Sequence, residues 1–232
     1  MEDPAAIARL IDHALLQPNL TDSELEAGCR DAAAWRVASV CILPYAVARC
    51  AAILRGSGVA TSTVIGFPHG AHRPVIKAAE ARRALDDGAQ ELDMVVNISQ
   101  VVSGAWREVH EDIHAVLTEV REHGARLKVI FETCYLDETQ KIRLCEICSE
   151  LGADWVKTST GFGPAGATEA DVRLMRRHSA PQVQIKASGG IRDLAAVVRF
   201  RDLGCSRIGC SRTGAILQAC VGGGEAKSGS SA

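Results

Sequence analysis

The sequence has little net charge, no long apolar run and no signal peptide, and each absence excludes a class of protein. Lys and Arg number 26 against 28 Asp and Glu in 232 residues, a formal net charge of −2. No basic stretch is interleaved with aromatic residues, as nucleic-acid binding requires. No apolar run approaches the roughly 20 residues of a membrane span, and MEDPAAIARL is acidic where a signal peptide is basic and apolar. We therefore expect a soluble, cytoplasmic protein that binds neither nucleic acid nor membrane.

The sequence also lacks an even number of cysteines, which complete disulfide pairing would need. Nine cysteines in a chain of this size argue against a secreted disulfide framework. Cys145 and Cys148 form a C-x-x-C within KIRLCEICSEL, a pattern that places them on one helical face. Redox pairs usually start a helix after a strand, and zinc sites need further ligands. We interpret both thiols as small core side chains, because free cysteine tends to be buried.

Eight short apolar runs are present, each followed by turn residues and a helical pattern. The predicted strands are LIDH (10–13), SVCIL (39–43), STVIGF (62–67), ELDMVV (91–96), LKVIFE (127–132), WVKTST (155–160), VQIKAS (183–188) and RIGCS (207–211). The stretches between them are amphipathic, with apolar residues recurring every three and four positions. Repeated βα units predict a parallel sheet, and eight of them favour a closed (β/α)8 TIM barrel over an open sheet.

The predicted organisation is a single domain over residues 1–220, with a short N-terminal helical segment. The last residues, VGGGEAKSGSSA (221–232), are small and polar. Such a composition cannot bury enough apolar surface to order a chain. A disordered tail is therefore expected there.

Two motifs match known fingerprints without the context that those fingerprints need. HEDIH (110–114) matches the H-E-x-x-H of zinc proteases, but its helix would turn an apolar stripe toward the sheet and leave His110 and His114 at the flank. GFGPAG (161–166) matches G-x-G-x-x-G, but the ribose-binding acid expected about 20 residues on is absent from QIKASG. We interpret the first as a surface coincidence and the second as a loop.

Charged residues interrupt the predicted strands where apolar residues are expected. Lys157 lies in the sixth strand, Lys186 in the seventh and Asp93 in the fourth, each near the strand end where barrel active sites form. A buried ion pair could merely fill a polar interior, but such a pair contributes little stability. A second cation and desolvation both disfavour the charged form of a lysine and release a nucleophilic amine. We interpret the group as a site that attacks a carbonyl to form an imine.

The segments that carry these charges resemble those of deoxyribose-phosphate aldolases. The matching segments are IDHALL, TVIGFPHG, ELDMVVN, KVIFETC, DWVKTSTGFG, KASGGIRD and RIGCSR, which extend over nearly the whole chain except the tail. The resemblance implies a class I aldolase that reversibly cleaves 2-deoxy-D-ribose 5-phosphate into D-glyceraldehyde 3-phosphate and acetaldehyde. It also implies a cofactor-free, metal-free reaction in deoxyribonucleoside catabolism. We expect a homodimer or homotetramer.

Residue by residue, the resemblance assigns roles to four of the charged side chains. Lys157 falls on the lysine that forms the Schiff base, and Lys186 on the cation that lowers its pKa. Asp93 falls on the aspartate of the proton relay, and Asp12 on an aspartate that supports it. Cys41, in the second predicted strand, is expected to line the same site.

The substrate's phosphate is expected between the loops that follow the seventh and eighth strands, a frequent arrangement in barrel enzymes. The candidate ligands are Gly189, Gly190, Gly209 and Ser211, with Thr160 and Gly161 at the edge. Arg192 and Arg212 are either additional phosphate ligands or solvated helix residues.

The sequence departs from the family pattern at three places. Ala14 stands where a threonine is common, Cys210 where a small hydroxyl or methyl residue is usual, and the chain ends in SSA rather than in a tyrosine. Other readings stay open at this stage. They are another Schiff-base barrel such as a transaldolase or keto-acid aldolase, an isomerase that uses Asp93 as a base, and a phosphosugar-binding barrel without chemistry.

Overall fold

The computed structural model describes residues 2–222, and within them eight parallel strands close into one barrel in chain order. The strands are β1 (Ile11–Leu15), β2 (Ser39–Ile42), β3 (Ala60–Ile65), β4 (Glu91–Val95), β5 (Arg126–Ile130), β6 (Trp155–Lys157), β7 (Gln184–Ser188) and β8 (Cys205–Cys210). Strand β8 pairs with β1 and completes the ring. The predicted (β/α)8 barrel is confirmed.

Helices connect the strands and cover the outside of the barrel. They are α1 (Pro4–Ala8), α2 (Asp22–Trp35), α3 (Val47–Leu54), α4 (Pro74–Asp86), α5 (Ile98–Val102), α6 (Trp106–Glu122), α7 (Glu138–Leu151), α8 (Glu169–His178), α9 (Leu194–Asp202) and α10 (Thr213–Gly222). Helix α1 is the predicted N-terminal helical segment. The main apolar core lies between the helices and the outward face of the sheet, where outward residues such as Val156, Ile185 and Ile208 are fully buried.

Local chemistry accounts for where several helices begin. Thr21 and Glu24 form a capping box at the start of α2, and Asp137 and Gln140 form another at α7. In each box both side chains satisfy backbone N–H groups that the first helical turn leaves free. These caps set the points at which the chain turns back after β1 and β5.

Strand β6 is shorter than predicted, and its end has a clear physical cause. The chain leaves the sheet after Lys157 because Thr158 uses its hydroxyl to bond with the neighbouring loop. Thr158 Oγ1 donates to Ser188 O and accepts from Ser188 N, both at 3.1 Å. Residues 158–168 therefore form a loop rather than a longer strand. Strand β1 differs too, beginning at Ile11 and ending at Leu15.

The described residues include only the first part of the predicted C-terminal tail. Val221 and Gly222, which were assigned to the tail, belong to helix α10. The remaining residues of the predicted disordered tail, 223–232, lie outside the described residues. Over residues 2–222, none of the helices combines the length and the apolar character that crossing a membrane requires.

The C-x-x-C and H-E-x-x-H motifs both lie on outer helices. Cys145 and Cys148 are fully buried in α7, which confirms their interpretation as core side chains. On α6, the rings of His110 and His114 stack with centroids 6.2 Å apart, and Glu111 is exposed. Across the described part of the chain, three or more His, Cys, Asp or Glu side chains are nowhere grouped to hold a metal ion.

Candidate active site

The strands bring the predicted lysines side by side in the barrel. Side chains alternate between the two faces of a strand, so Lys157 points inward while its neighbour Val156 joins the outer core. Lys157 and Lys186 are register partners between β6 and β7. Both side chains are almost completely buried. Adjacent parallel strands therefore hold two amines at the same height.

Asp93 connects the two amines. Its Oδ2 accepts a hydrogen bond from Lys157 Nζ at 2.7 Å and another from Lys186 Nζ at 2.7 Å. It reaches them from β4, across the barrel interior. Asp12 on β1 adds a second carboxylate, with its Oδ2 2.6 Å from Lys186 Nζ. All four residues for which the sequence predicts catalytic roles therefore lie in one contiguous cluster.

The two lysines have opposite pKa shifts although both are buried. Burial lowers the pKa of Lys157, the Lys186 cation lowers it further, and the single carboxylate of Asp93 does not compensate. Burial also opposes charge on Lys186, but Asp12 and Asp93 together outweigh it and raise the pKa of Lys186. The site thus makes Lys157 the lysine that loses its proton more readily and favours the charged form of Lys186.

The aspartates of the cluster stay ionised. Burial alone would raise the pKa of Asp93, but the Lys128 and Lys186 cations and the hydrogen bond from Lys157 hold it well below its usual value. Lys186 and Lys128 likewise hold the pKa of Asp12 below its ordinary value against the effect of burial. A carboxylate that stays charged can accept a proton from a group it contacts and return it.

A second set of buried charges lies beneath this cluster, and the sequence prediction missed it. Lys128 on β5 has its Nζ 2.9 Å from Asp93 Oδ1 and 2.7 Å from Glu91 Oε2. Arg207 on β8 contacts both Asp12 and Glu91 at 2.8 Å. The two sets therefore form one continuous network of ion pairs.

An indole lies against the cations of the lower set. The guanidinium carbon of Arg207 lies 4.9 Å from the Trp155 ring centroid, and Lys128 Nζ lies 5.5 Å from it. A cation near an aromatic ring is attracted by the ring quadrupole. Trp155 Nε1 donates to Ser206 Oγ at 2.9 Å, which anchors the ring. The ring therefore limits the positions that the two cations can take.

The missed residues carry the same signal that identifies the predicted ones. Glu91 is two positions before Asp93, and Lys128 and Arg207 are likewise charges within apolar strands. Alternation along a strand puts Glu91 on the same inward face as Asp93. Their position toward the N-terminal ends of the strands, away from the usual site of barrel chemistry, explains why they were passed over.

A pocket opens above the charge network at the C-terminal ends of the strands. Cys41, Arg192 and Arg212 line it. So does every predicted phosphate ligand, namely Thr160, Gly161, Gly189, Gly190, Gly209 and Ser211. Lys157, Lys186 and Asp12 also line it. Asp93 is fully buried and does not line the pocket, but it contacts both of the amines that do.

Two glycines of the phosphate loops are required by close approaches. A side chain on Gly209 would place its Cβ 2.9 Å from Ser188 Cβ and 3.3 Å from Lys186 Cε. Gly189 has φ +85°, and its carbonyl oxygen would lie 2.1 Å from a Cβ added to Gly166. The GFGPAG segment thus packs its last glycine against the loop after β7, consistent with its interpretation as a loop.

Glu132 fixes the loop that follows Lys157, and sequence reasoning did not single it out. Its carboxylate accepts hydrogen bonds from Thr160 N at 3.1 Å and from the Thr160 hydroxyl. Glu132 itself is buried and has φ +55°, a backbone conformation that is uncommon outside glycine. The end of β5 therefore positions one edge of the predicted phosphate site.

The start of α10 is tied to β1 through a neutral histidine. His13 Nδ1 lies 2.8 Å from Thr213 Oγ1, and the His13 ring meets Trp35 edge-on at 5.5 Å. Burial lowers the pKa of His13 to about 4, so the ring is uncharged at neutral pH. Cys210 Sγ lies 3.8 Å from the same hydroxyl, which gives this departure from the family pattern a packing role.

Cys41 lines the pocket from β2 but is not a reactive thiolate. Burial raises the pKa of its thiol, and the Asp93 carboxylate raises it further. The thiolate is the nucleophilic form of cysteine. Lys157 is therefore the amine of the pocket whose pKa is lowered, with the Asp93 carboxylate at 2.7 Å and the Lys186 cation beside it. Such a group can form an imine with an aldehyde.

Comparison with known proteins connects this geometry with a family. A family model described as DeoC/LacD family aldolase matches residues 6–215. A protein named deoxyribose-phosphate aldolase from Rhodopirellula baltica is 57% identical over 211 residues, which cover 91% of this chain and 88% of the relative. One of the same name from Carboxydothermus hydrogenoformans is 43% identical over 225 residues, covering 96% and 99%.

A solved structure gives the same result. The deoxyribose phosphate aldolase from Aeropyrum pernix, described as a unique tetrameric structure, superimposes with a TM-score of 0.89 at 29% identity. The superposition covers 95% of this chain and 93% of that one. The likeness therefore extends over the whole barrel.

Proposed function

The chain belongs to the DeoC/LacD family of aldolases, and from this premise we propose that it reversibly cleaves 2-deoxy-D-ribose 5-phosphate through an imine on Lys157. The observation that carries the proposal is the pairing of two buried lysines on one oxygen of Asp93, each at 2.7 Å. One lysine has a lowered pKa and the other a raised pKa. The products are D-glyceraldehyde 3-phosphate and acetaldehyde.

Imine formation begins with the uncharged amine of Lys157. Its lone pair attacks C1 of the open-chain aldehyde, a C–N bond forms, and the resulting carbinolamine loses water to give an iminium. The step needs a proton delivered to the departing hydroxyl and one removed from nitrogen. Asp93, in direct contact with Lys157 Nζ, is the group that exchanges these protons.

Cleavage then uses the iminium as an electron sink. The C2–C3 bond breaks, its electron pair moves toward the iminium nitrogen, and the C3 hydroxyl loses its proton to become the aldehyde of D-glyceraldehyde 3-phosphate. An enamine of acetaldehyde remains on Lys157. Asp93 exchanges the proton that leaves the C3 hydroxyl and the one that is added at C2, and addition of water then releases acetaldehyde and restores the amine. Lys186 keeps its charge throughout, because its pKa is raised by Asp12 and Asp93.

The phosphate binds at the other end of the pocket. Glycine-rich turns after β7 and β8 expose backbone N–H groups, and the N-terminus of α10 carries partial positive charge. Arg192 and Arg212 line the same end and provide full charges.

The proposed setting is deoxyribonucleoside catabolism in the cytoplasm. Nine free cysteines, all within the described range, suit a reducing compartment. We also expect a homodimer or homotetramer, supported by the assembly described for the relative from Aeropyrum pernix. Sedimentation velocity at micromolar concentration should give a species of two or four chains. A monomer there would contradict this expectation.

The test of the proposed function combines trapping with kinetics. Reduction by borohydride in the presence of acetaldehyde should add one ethyl group to the peptide that contains Lys157 and none to the peptide with Lys186. The value of kcat/KM should be at least about a hundredfold higher for the phosphorylated sugar than for free deoxyribose, a preference worth about 2.7 kcal/mol. Active enzyme with unmodified Lys157 would instead support an isomerase that uses Asp93 as its base.

A further inference from the structure

The charge network of the barrel interior contains an odd number of acidic and basic side chains. Among residues 2–222, the inward-facing charges of the network are three carboxylates (Asp12, Glu91 and Asp93) and four basic groups (Lys128, Lys157, Lys186 and Arg207). Arg126 also contacts Glu91, but its side chain is half exposed and therefore screened by solvent. A buried network with equal numbers of opposite charges is the stable one. One of the four basic groups should be neutral.

The number of carboxylate partners identifies which one. Lys128 Nζ lies within 3.6 Å of three carboxylates, and Lys186 Nζ within 2.7 Å of two. Arg207 is a guanidinium and keeps its proton. Lys157 contacts a single carboxylate oxygen, which it shares with Lys186. Lys157 therefore has the fewest carboxylate contacts of the four basic groups, so the uncompensated proton leaves from Lys157.

We propose that Lys128, which lies below the pocket, is a positioning residue for Lys157. Together with Lys186 and Arg207 it balances the charges of the three carboxylates, and this balance makes Lys157 the neutral amine. This inference rests on the proposed function of Lys157. Lys128 also fixes the geometry, since it holds Asp93 Oδ1 at 2.9 Å and so turns Oδ2 toward the two upper lysines. Without Lys128, three cations would face three carboxylates, and Lys157 would keep its proton.

The groups that act on Lys157 come from every neighbouring strand. Asp93 on β4, Lys186 on β7, Cys41 on β2, Lys128 on β5 and Asp12 on β1 lie nearest to it in the barrel interior. Glu91 and Arg207 lie below them. Glu132, Arg192 and Arg212 lie around the mouth of the pocket. The pKa of Lys128 is raised by Asp93, Asp12 and Glu91 despite burial, so it remains a cation over the working pH range. Removing it changes the field at Lys157 without touching the pocket lining.

Two single variants should move the pH profile in opposite directions. Lys128→Met removes a cation at similar volume, so it favours the charged form of Lys157 and raises its pKa. The acid limb is the part of the pH profile where activity falls as Lys157 becomes protonated. In the profiles of kcat/KM and of borohydride trapping with acetaldehyde, this limb should move up by about one pH unit or more. Activity below the limb should fall about tenfold and recover at high pH. Glu91→Gln removes an anion and should move the limb down.

The double variant Lys128→Met/Glu91→Gln restores equal numbers of charges and should return the limb to the wild-type position. A matched control is Lys77→Met/Asp112→Asn, which removes a buried lysine–aspartate pair (2.6 Å apart) between α4 and α6. It should leave the position of the limb unchanged. A merely structural role for Lys128 would lower kcat without moving the limb.

The outcomes separate this inference from the proposed function. If wild-type Lys157 is not trapped by acetaldehyde and borohydride, the proposed function fails and this inference fails with it. If Lys157 is trapped but Lys128→Met leaves the limb in place, or both single variants shift it the same way, only this inference is overturned. If Lys128→Met does not fold, Glu91→Gln can be compared with the double variant, because those two differ only in the Lys128 charge. The same position of the acid limb in both would overturn this inference.

Discussion

Replacing Lys157 with methionine is expected to lower kcat/KM for 2-deoxyribose 5-phosphate by at least about 10⁴-fold, because the reaction proceeds through a covalent bond to this nitrogen. The other lysine of the pocket, Lys186, cannot take over. Its pKa is raised by Asp12 and Asp93, so its amine stays protonated and is not nucleophilic. The loss should appear at every pH, unlike the loss in Lys128→Met, which should be reversed by raising the pH.

The same substitution should not destabilise the barrel. In the proposed charge balance Lys157 is the neutral basic group of the network, so methionine of similar length should replace it without leaving an unpaired ion. The free energy of unfolding is expected to stay within about 1 kcal/mol of wild type, measured by urea denaturation. Trapping of acetaldehyde by borohydride should disappear. Retention of more than about 1% of wild-type kcat/KM would contradict an obligatory imine on Lys157.

Stability without activity in Lys157→Met would also clarify why a lysine is present in the strand. Burying an ammonium group costs free energy unless it is paired. In this barrel Lys128 and Lys186 have two or more carboxylates each, while Lys157 contacts one oxygen of Asp93, which it shares with Lys186. The cost of burial is therefore not compensated at Lys157 but is converted into a lowered pKa, which is the property that the chemistry needs.

Most of the fold could be predicted because the barrel repeats one local pattern eight times. Short apolar runs, turn residues and amphipathic helices recur in order, and every predicted strand corresponds to an observed one. The ends of strands were less accurate. Residues 158–160 have the composition of a strand, yet Thr158 bonds across to Ser188, which is a tertiary contact that no local pattern contains.

The candidate site was predictable where two signals coincided. Lys157, Lys186 and Asp93 are charges near the C-terminal ends of strands, and their segments resemble those of a known family. Lys128 and Arg207 also lie in segments that resemble the family, but they are charges toward the N-terminal ends of their strands, where barrel chemistry is not expected. Their importance depends on counting charges in a closed space, and that count requires knowing which strands face one another.

Glu132 illustrates a different limit. Its segment, KVIFETC, contributed to the family resemblance, but nothing in the sequence says that its carboxylate accepts a hydrogen bond from the backbone of Thr160. The contact joins the loops after β5 and β6, which are 28 residues apart along the chain. Loop geometry of this kind follows from the closed order of the strands rather than from any local spacing.

Asp93→Asn is the second substitution with a large expected effect, a fall in kcat of about 10²–10⁴-fold. An amide cannot take a proton from Lys157 nitrogen and return it, so carbinolamine dehydration and enamine protonation should both slow. The loss cannot be attributed to a protonated nucleophile. Removing this anion disfavours the charged form of Lys157, so the acid limb of kcat/KM should move to lower pH while kcat falls.

The matched control for Asp93→Asn is Asp112→Asn, which removes a buried aspartate outside the barrel network that also pairs with a buried lysine. Breaking a buried ion pair by removing one partner typically costs about 3–5 kcal/mol, so both variants should lose stability. Only Asp93→Asn should lose activity beyond that, because Asp112 lies between outer helices and its partner Lys77 is not in the pocket. Stopped-flow measurement of single turnovers separates the slow proton transfers from substrate binding. A kcat for Asp93→Asn within about tenfold of wild type would contradict the proton-relay role, since it lies below the contribution expected of general acid–base catalysis.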